Sequence, residues 1–124
     1  MEVRDIKTAE TLSATLNEAP LVVLDFHAPW CGPCKVAMPH YLRMSRQFPH
    51  VIFVKMNLDE IDQRIADIFE AQSLPLFLVI HNNQVVRRFE GYDPSSTLQS
   101  IASTLTALTP MGITSGGDPG VGVM

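Results

Sequence analysis

The chain has 124 residues, of which 46% are hydrophobic and 18% are charged. That length suits one domain, and that composition can bury an ordinary core without disulfide staples or a structural metal. The formal net charge of -4, with nine basic residues scattered along the chain, provides no basic patch and argues against a nucleic-acid partner.

Membrane and export signals are not evident in the sequence. The longest apolar runs, around residues 21–26 and 74–80, fall far short of the roughly 18 residues that a membrane span requires. The first thirty residues contain several acidic side chains and no apolar signal-peptide core. We therefore expect a cytoplasmic protein that does not contact membranes, with nuclear entry left open.

Strands and helices alternate along the first 71 residues. The predicted elements are, in order, a strand at 2–6, a helix at 8–18, a buried strand at 21–26, a helix at 32–48, a strand at 51–58 and a helix at 60–71. Thr8 is the candidate cap of the first helix, and Pro39 should kink the second. The third helix carries a predicted apolar stripe of Ile61, Ile65, Ile68 and Phe69.

The remaining elements are a hairpin and a final helix. Strands at 76–80 and 85–89 flank Asn82 and Asn83, a residue type that tolerates the positive φ of a tight turn. The last helix is predicted from Pro94 to Leu108, with Asp93 as its cap. Together these elements predict an α/β fold: a central mixed sheet of four to five strands with about four helices on its two faces.

The composition changes after Leu108. Residues 109–124 hold five of the seven glycines and no aromatic side chain. Such a segment cannot bury enough apolar surface to offset its ordering entropy. We therefore predict one domain at 1–108 and a disordered tail at 109–124.

The only two cysteines, Cys31 and Cys34, lie three residues apart, so they cannot staple distant parts of the chain together. In a reducing compartment, a pair at this spacing serves metal binding or redox catalysis. A zinc site would need further ligands such as His27 and His40, and no second Cys or His pair occurs at a plausible spacing. Redox catalysis is the favoured interpretation.

The stretch from Val22 to Lys35, which contains Trp30-Cys31-Gly32-Pro33-Cys34, resembles the active-site segment of the thioredoxin family. Further likeness covers roughly residues 1–108 in register and includes Pro39, the run Lys55-Met56-Asn57-Leu58-Asp59, Leu74-Pro75 and Gly91. The resemblance implies the thioredoxin fold and a monomeric thiol–disulfide oxidoreductase that reduces disulfide-containing client proteins. It also implies no bound cofactor, since a thioredoxin-reductase-like flavoprotein would supply the electrons.

The cysteine pair has assigned roles in this interpretation. Cys31 would lie just before the unsatisfied N–H groups and the positive dipole end of the second helix, which lower the pKa of its thiol. Cys34 follows one helical turn later, close enough to close a disulfide. Cys31 is therefore the predicted nucleophile, and Cys34 is the predicted resolving thiol that attacks the mixed disulfide.

Two charged residues interrupt apolar strands. Asp25 would be costly to bury as a carboxylate, so we expect a raised pKa, and the resemblance implies proton transfer with Cys34. Lys55 lies near Asp25 by the same resemblance and would tune its carboxylate. The alternatives are a loop-capping role for Asp25 and an amine of Lys55 that simply reaches water.

The remaining site residues form a predicted client groove. The resemblance implies a cis peptide at Pro75, which leaves the backbone of Leu74 free to pair with an extended client segment. The groove is completed by Trp30 as an apolar wall and by Gly32, Pro33 and Gly91, whose glycines permit close backbone approach. Trp30 could instead be ordinary packing, and Gly91 could simply turn the chain.

Three positions depart from the family pattern. His27 stands where many thioredoxins have an aromatic residue, and Asn83 replaces a hairpin glycine. Leu76 follows the proline where the family commonly has Thr, which we expect to make the groove more apolar. His27 could influence the thiolate if it were charged, or it could be a partly exposed structural histidine.

The same fold is compatible with functions besides disulfide reduction. A disulfide isomerase or oxidase would favour a histidine between the cysteines, whereas this chain has Gly32-Pro33. The fold would also suit a dithiol carrier specific to one lineage, or a binding or chaperone module without turnover. The presence of Cys31, Cys34 and Asp25 argues against a module without turnover.

Overall fold

The structure is a computed structural model, and it describes residues 2–110. Apart from Thr109 and Pro110, the predicted tail at 109–124 lies outside the described residues, so its disorder stays a prediction. Within the described part of the chain, none of the helices combines the length and the apolar character that a membrane span requires.

Within residues 2–110, five strands and four helices follow one another in the predicted order. They are β1 (Arg4–Asp5), α1 (Ala9–Leu16), β2 (Leu21–His27), α2 (Gly32–Gln47), β3 (Ile52–Asn57), α3 (Gln63–Phe69), β4 (Leu76–His81), β5 (Gln84–Glu90) and α4 (Thr97–Leu108). The sheet has the order β1-β3-β2-β4-β5. β1, β3 and β2 are parallel to one another, β4 runs antiparallel to β2, and β5 runs antiparallel to β4. The predicted mixed sheet is therefore confirmed.

A separate core covers each face of the sheet, as expected when side chains alternate along buried strands. One core joins α1 and α3 to the sheet through Leu12, Val22, Leu24, Ile65 and Leu78 among others. The other joins α2 and α4 to the sheet through Val23, Ala37, Tyr41, Val79 and Ile101 among others. Alternate residues of β2 thus point to opposite cores, and the central strand is buried on both sides.

Two local predictions are confirmed at the ends of elements. The hydroxyl of Thr8 caps α1 by accepting a hydrogen bond from the backbone N–H of Thr11 at 3.1 Å. Asn82 and Asn83 form the two-residue turn between β4 and β5, with φ values of 52° and 67°. Because Asn adopts this left-handed region at little cost, Asn83 can replace a hairpin glycine.

The third helix is shorter than the predicted span of 60–71, and one residue of its stripe was wrongly assigned. Ile61 precedes the helix, and Ile65 and Phe69 pack against the core. Ile68 is 70% exposed. At 100° per residue, Ile68 lies on the flank away from the direction that Ile65, Ala66 and Phe69 share.

The last helix also begins later than predicted, at Thr97 and not at Pro94. The Asp93 carboxylate accepts hydrogen bonds from the N–H and the hydroxyl of Ser95, and the Asp93 carbonyl accepts from the N–H of Thr97 at 3.0 Å. Asp93 therefore caps a separate turn before α4. Similarly, the first strand is limited to the two residues that pair with β3, which is less than the predicted 2–6.

Candidate active site

The cysteine pair lies at the junction between β2 and α2. Cys31 is the N-cap residue of α2, with extended backbone angles, and its N–H donates to the carbonyl of Ala28 at 3.1 Å. Pro33 lies in the first helical turn, where a missing N–H is tolerated. The strand-to-helix junction therefore places the sulfur of Cys31 at the positive end of the helix dipole, as predicted.

The two cysteines are joined in a disulfide, and their Cα atoms are 5.3 Å apart. The N–H of Cys34 points at the Sγ of Cys31, with 3.2 Å between the two atoms. That N–H is one of the donors that would stabilise a thiolate on Cys31 after reduction. Cys31 and Cys34 are only 6% and 4% exposed, so both residues of the oxidised pair are largely buried.

The loop before β4 packs directly against the pair. Leu74 contacts the cluster formed by Ala28, Cys31 and Cys34, and the Leu74–Pro75 peptide bond is cis, which confirms the expectation from the resemblance. Within residues 2–110, no other backbone group pairs with the N–H or the carbonyl of Leu74. These two groups are therefore available to an extended segment lying beside the disulfide.

The predicted groove residues surround this loop. The N–H of Gly91 donates to the carbonyl of Pro75 at 2.8 Å, and Gly91 has a φ of 85°, which explains the glycine. A Cβ added to Gly91 or to Gly32 would meet nothing within 4 Å. Gly32 and Pro33 are exposed beside the disulfide. The glycines thus face open space that another chain could enter.

Trp30 is an exposed aromatic side chain next to the nucleophile. It is 66% exposed, and its indole N–H donates to a carboxylate oxygen of Asp59 at 3.2 Å. This bond fixes an apolar surface beside Cys31 that the core does not use. Asp59 was part of the stretch that carried the resemblance, but its role could not be read from the sequence because the bond spans 29 residues.

Asp25 is a buried carboxyl group on the face of the sheet that α2 covers. It is 2% exposed, and its Oδ1 atom has no hydrogen-bond partner within residues 2–110. Burial raises the pKa of Asp25 to about 8, and the cation of Lys55 acts in the opposite direction. The expected upward shift is confirmed, and it brings this carboxyl close to the pKa range of thiols.

Lys55 lies directly opposite Asp25 on the neighbouring strand β3. Residues opposite each other in a sheet project to the same face, and Lys55 is only partly exposed. The predicted proximity of the two residues is therefore confirmed.

His27 is the last residue of β2 and is partly exposed. Burial lowers its pKa, and the Lys55 cation lowers it further, against smaller opposing effects of Asp5 and Glu60. Its Nε2 atom is buried and has no hydrogen-bond partner among residues 2–110. The neutral imidazole is thus favoured beside the site.

The expectation that Leu76 makes the groove more apolar is wrong. Leu76 is fully buried and packs into the core beneath α1 and α3. The residue after the cis proline already belongs to β4, where it pairs with Phe26. Its side chain therefore points into the sheet core and leaves only its backbone near the groove.

The zinc interpretation receives no support from the geometry. Within the described part of the chain, no group of three or more His, Cys, Asp or Glu side chains is arranged to hold a metal ion. His40 is exposed on α2, where its ring pairs with Arg43. Both cysteine sulfurs are bonded to each other.

Sequence comparisons identify relatives over most of the chain. A family model described as Thioredoxin matches residues 3–104. Thioredoxin-1 of Saccharomyces cerevisiae is 35% identical over 101 residues, which cover 82% of this chain and 97% of that protein. A Thioredoxin H-type protein of Fagopyrum esculentum is 32% identical over 93 residues, which cover 75% of this chain and 79% of that protein.

Solved structures show the same fold. The thioredoxin of Plasmodium falciparum superposes with a TM-score of 0.76 at 29% identity, covering 82% of this chain and 98% of that one. The thioredoxin of Malassezia sympodialis superposes with a TM-score of 0.74 at 31% identity, covering 82% of this chain and 89% of that one. Sequence, fold and site geometry therefore agree.

Proposed function

From the premise that this chain belongs to the thioredoxin family and is a thiol–disulfide oxidoreductase with protein-disulfide reductase activity, we propose how its residues divide the reaction. The observation that carries the proposal is the Cys31–Cys34 disulfide at the N-terminus of α2. Cys31 is the nucleophile, Cys34 is the resolving thiol, and Asp25 exchanges a proton with Cys34.

The first step is attack by the Cys31 thiolate on one sulfur of a client disulfide. The client S–S bond breaks, a new S–S bond joins the client to Cys31, and the other client sulfur leaves as a thiolate that takes a proton. The N–H of Cys34, which points at the Cys31 sulfur, stabilises the attacking thiolate.

The second step releases the client. Cys34 loses its proton and attacks the Cys31 sulfur, which forms the Cys31–Cys34 disulfide and expels the second client thiolate. In its carboxylate form, Asp25 accepts this proton, since burial raises the pKa of Asp25 to about 8 and makes the carboxylate nearly as strong a base as a thiolate. Lys55 limits that rise by favouring the carboxylate.

Client binding uses the surface around the pair. An extended client segment pairs with the free N–H and carbonyl of Leu74 beside Pro75. Trp30, held by Asp59, supplies an apolar wall, and Gly32, Pro33 and Gly91 leave room for the client backbone. Two electrons and two protons enter and leave on sulfur, so the reversible disulfide serves as the redox group and no bound cofactor is required.

Return to the dithiol needs an external donor of two electrons. We propose a thioredoxin-reductase-like flavoprotein for this step, because the family is generally recycled by such an enzyme. We also propose that the protein acts as a monomer in the cytoplasm, where a dithiol stays reduced. Fractionation of cells with an antibody to the chain tests the location.

The test is a turbidity assay of disulfide reduction in insulin with dithiothreitol as the electron donor. Wild type should accelerate the reaction, and Cys31→Ser should abolish the acceleration. Cys34→Ser should lose most of the acceleration, because its mixed disulfide can then be resolved only by dithiothreitol. Equal acceleration by all three proteins would overturn the assignment, and no acceleration by wild type would favour a binding module.

A further inference from the structure

Arg88 of β5 connects the edge of the sheet to the C-terminal end of α3. Its two terminal nitrogens donate to the carbonyls of Phe69 and Glu70, each at 2.7 Å. Its Nε donates to the Glu90 carboxylate at 2.8 Å. The planar guanidinium suits such paired acceptors, and the last carbonyls of a helix otherwise lack partners and carry negative partial charge.

The carbonyls that Arg88 holds mark the start of the active-site loop, which we define as residues 70–75. Glu70 ends α3 in the left-handed region, with a φ of 52°. The loop then leads to Leu74, which packs against the cysteine pair, and to Pro75. Three residues separate Glu70 from Leu74, so this anchor lies close in sequence to the backbone that a client would meet.

The other end of the active-site loop is held by the same strand. The N–H of Gly91, directly after β5, donates to the carbonyl of Pro75 at 2.8 Å. Arg88 and Gly91 are only three residues apart, so β5 fixes the loop at both ends. Leu74 lies between these two anchors, and its backbone groups remain free for a client.

We propose that Arg88 is a positioning residue for protein clients: by fixing the start of the active-site loop, it sets the position at which the Leu74 backbone pairs with a client segment. This inference rests on the proposed client groove. It predicts a specific effect, because a protein client needs the Leu74 backbone whereas a small disulfide needs access to the Cys31 sulfur alone. The guanidinium itself is engaged by Glu90 and the two carbonyls, so it acts through the loop.

Arg87 offers a matched control on the adjacent position of β5. Arg88 lies opposite Leu78, in the α1 and α3 core, whereas Arg87 lies opposite Val79, in the α2 and α4 core. The Arg87 guanidinium stacks 4.7 Å from the centre of the Phe89 ring and reaches Thr104 at 3.3 Å. Arg87→Met thus removes the same charge from the same strand without touching the active-site loop.

The experiment compares kcat/KM for insulin with the rate for bis(2-hydroxyethyl) disulfide in wild type, Arg88→Met, Arg88→Lys and Arg87→Met. Arg88→Met should lower the insulin value roughly tenfold, mainly through KM, and leave the small disulfide unchanged. Arg88→Lys should recover part of the loss, because one ammonium can serve one carbonyl well but not two. Arg87→Met should match wild type on both substrates. Circular dichroism confirms that each variant is folded.

Two results would overturn the inference. An equal loss on both substrates in Arg88→Met would indicate general damage to the site, and an insulin rate equal to wild type would show that the anchor is dispensable. Failure of wild type to reduce insulin would instead contradict the proposed function. The two failures are therefore distinguishable.

Discussion

Asp25 and Lys55 are opposite each other on the parallel strands β2 and β3, and the Lys55 cation acts to lower the pKa of Asp25 without a salt bridge between the two within residues 2–110. Burial favours the neutral carboxyl of Asp25, and the nearby cation favours its charged form. Burial dominates, so the carboxyl keeps its proton up to about pH 8.

This balance predicts a pH-dependent cost to stability. Between the ordinary pKa of 3.8 and the native pKa of about 8, unfolding releases the proton of Asp25, so its contribution to stability falls as pH rises and levels off above about 8. In Asp25→Asn this contribution is absent. We expect the oxidised variant to have a higher free energy of unfolding than wild type by about 4 kcal/mol at pH 7.

Urea unfolding of both oxidised proteins between pH 4 and 9 measures this difference. The gap should be small near pH 4, widen with pH and become constant above about 8. A gap that does not change with pH would show that Asp25 titrates normally in the folded state.

Removing the cation should raise the pKa of Asp25 further. In Lys55→Met the buried carboxyl loses the Lys55 charge, which favours its ionised form. Carbon NMR of the Asp25 carboxyl in the oxidised protein should show a titration midpoint above that of wild type. A midpoint that stays the same or falls would exclude Lys55 as a tuning residue.

His27 should act as a neutral neighbour of the site at pH 7. Burial and the Lys55 cation lower its pKa, so the imidazole carries no charge that could stabilise the thiolate. We expect an NMR titration midpoint of His27 below the ordinary histidine value, and insulin reduction by His27→Phe within about twofold of wild type at pH 7.5. A large loss of activity would show a direct role.

Tyr41 contributes to stability through a buried hydroxyl. This group donates to the carbonyl of Val54 at 2.8 Å and lies 3.2 Å from that of Val23, so it links α2 to β2 and β3. Tyr41→Phe should lower the free energy of unfolding by about 1 kcal/mol in urea titrations. Tyr92→Phe, at a part-exposed tyrosine of the same core, is the control and should change it less.

Strong local patterns predicted most of the fold. The buried strand at 21–26, the cap at Thr8 and the Asn82-Asn83 turn depend on neighbours in sequence, and all three are present. The predicted start of α4 was wrong because Asp93 caps a turn before the helix. Its carboxylate accepts a hydrogen bond from the N–H of Ser95. The assignment of Ile68 to the buried stripe was wrong because the hydrophobic periodicity does not show which side of the helix meets the sheet.

Contacts between distant segments could not be read in the same way. The bond from Trp30 to Asp59 spans 29 residues, and that from Arg88 to Phe69 spans 19. Leu76 illustrates the same limit, since its burial depends on which face of β4 it occupies. The cysteine pair was predictable because its two thiols lie within one helical turn of each other, so the sequence alone shows both their chemistry and their spacing.

The central claim is that Cys31 attacks and Cys34 resolves, and trapping of the mixed disulfide tests it most directly. Reduced Cys34→Ser and reduced Cys31→Ser are mixed with insulin, quenched with acid and analysed by intact-mass and peptide mass spectrometry. The account predicts a covalent adduct through Cys31 in Cys34→Ser and a far smaller yield of adduct in Cys31→Ser. An adduct that forms mainly through Cys34, or equal yields in the two variants, would contradict the assignment.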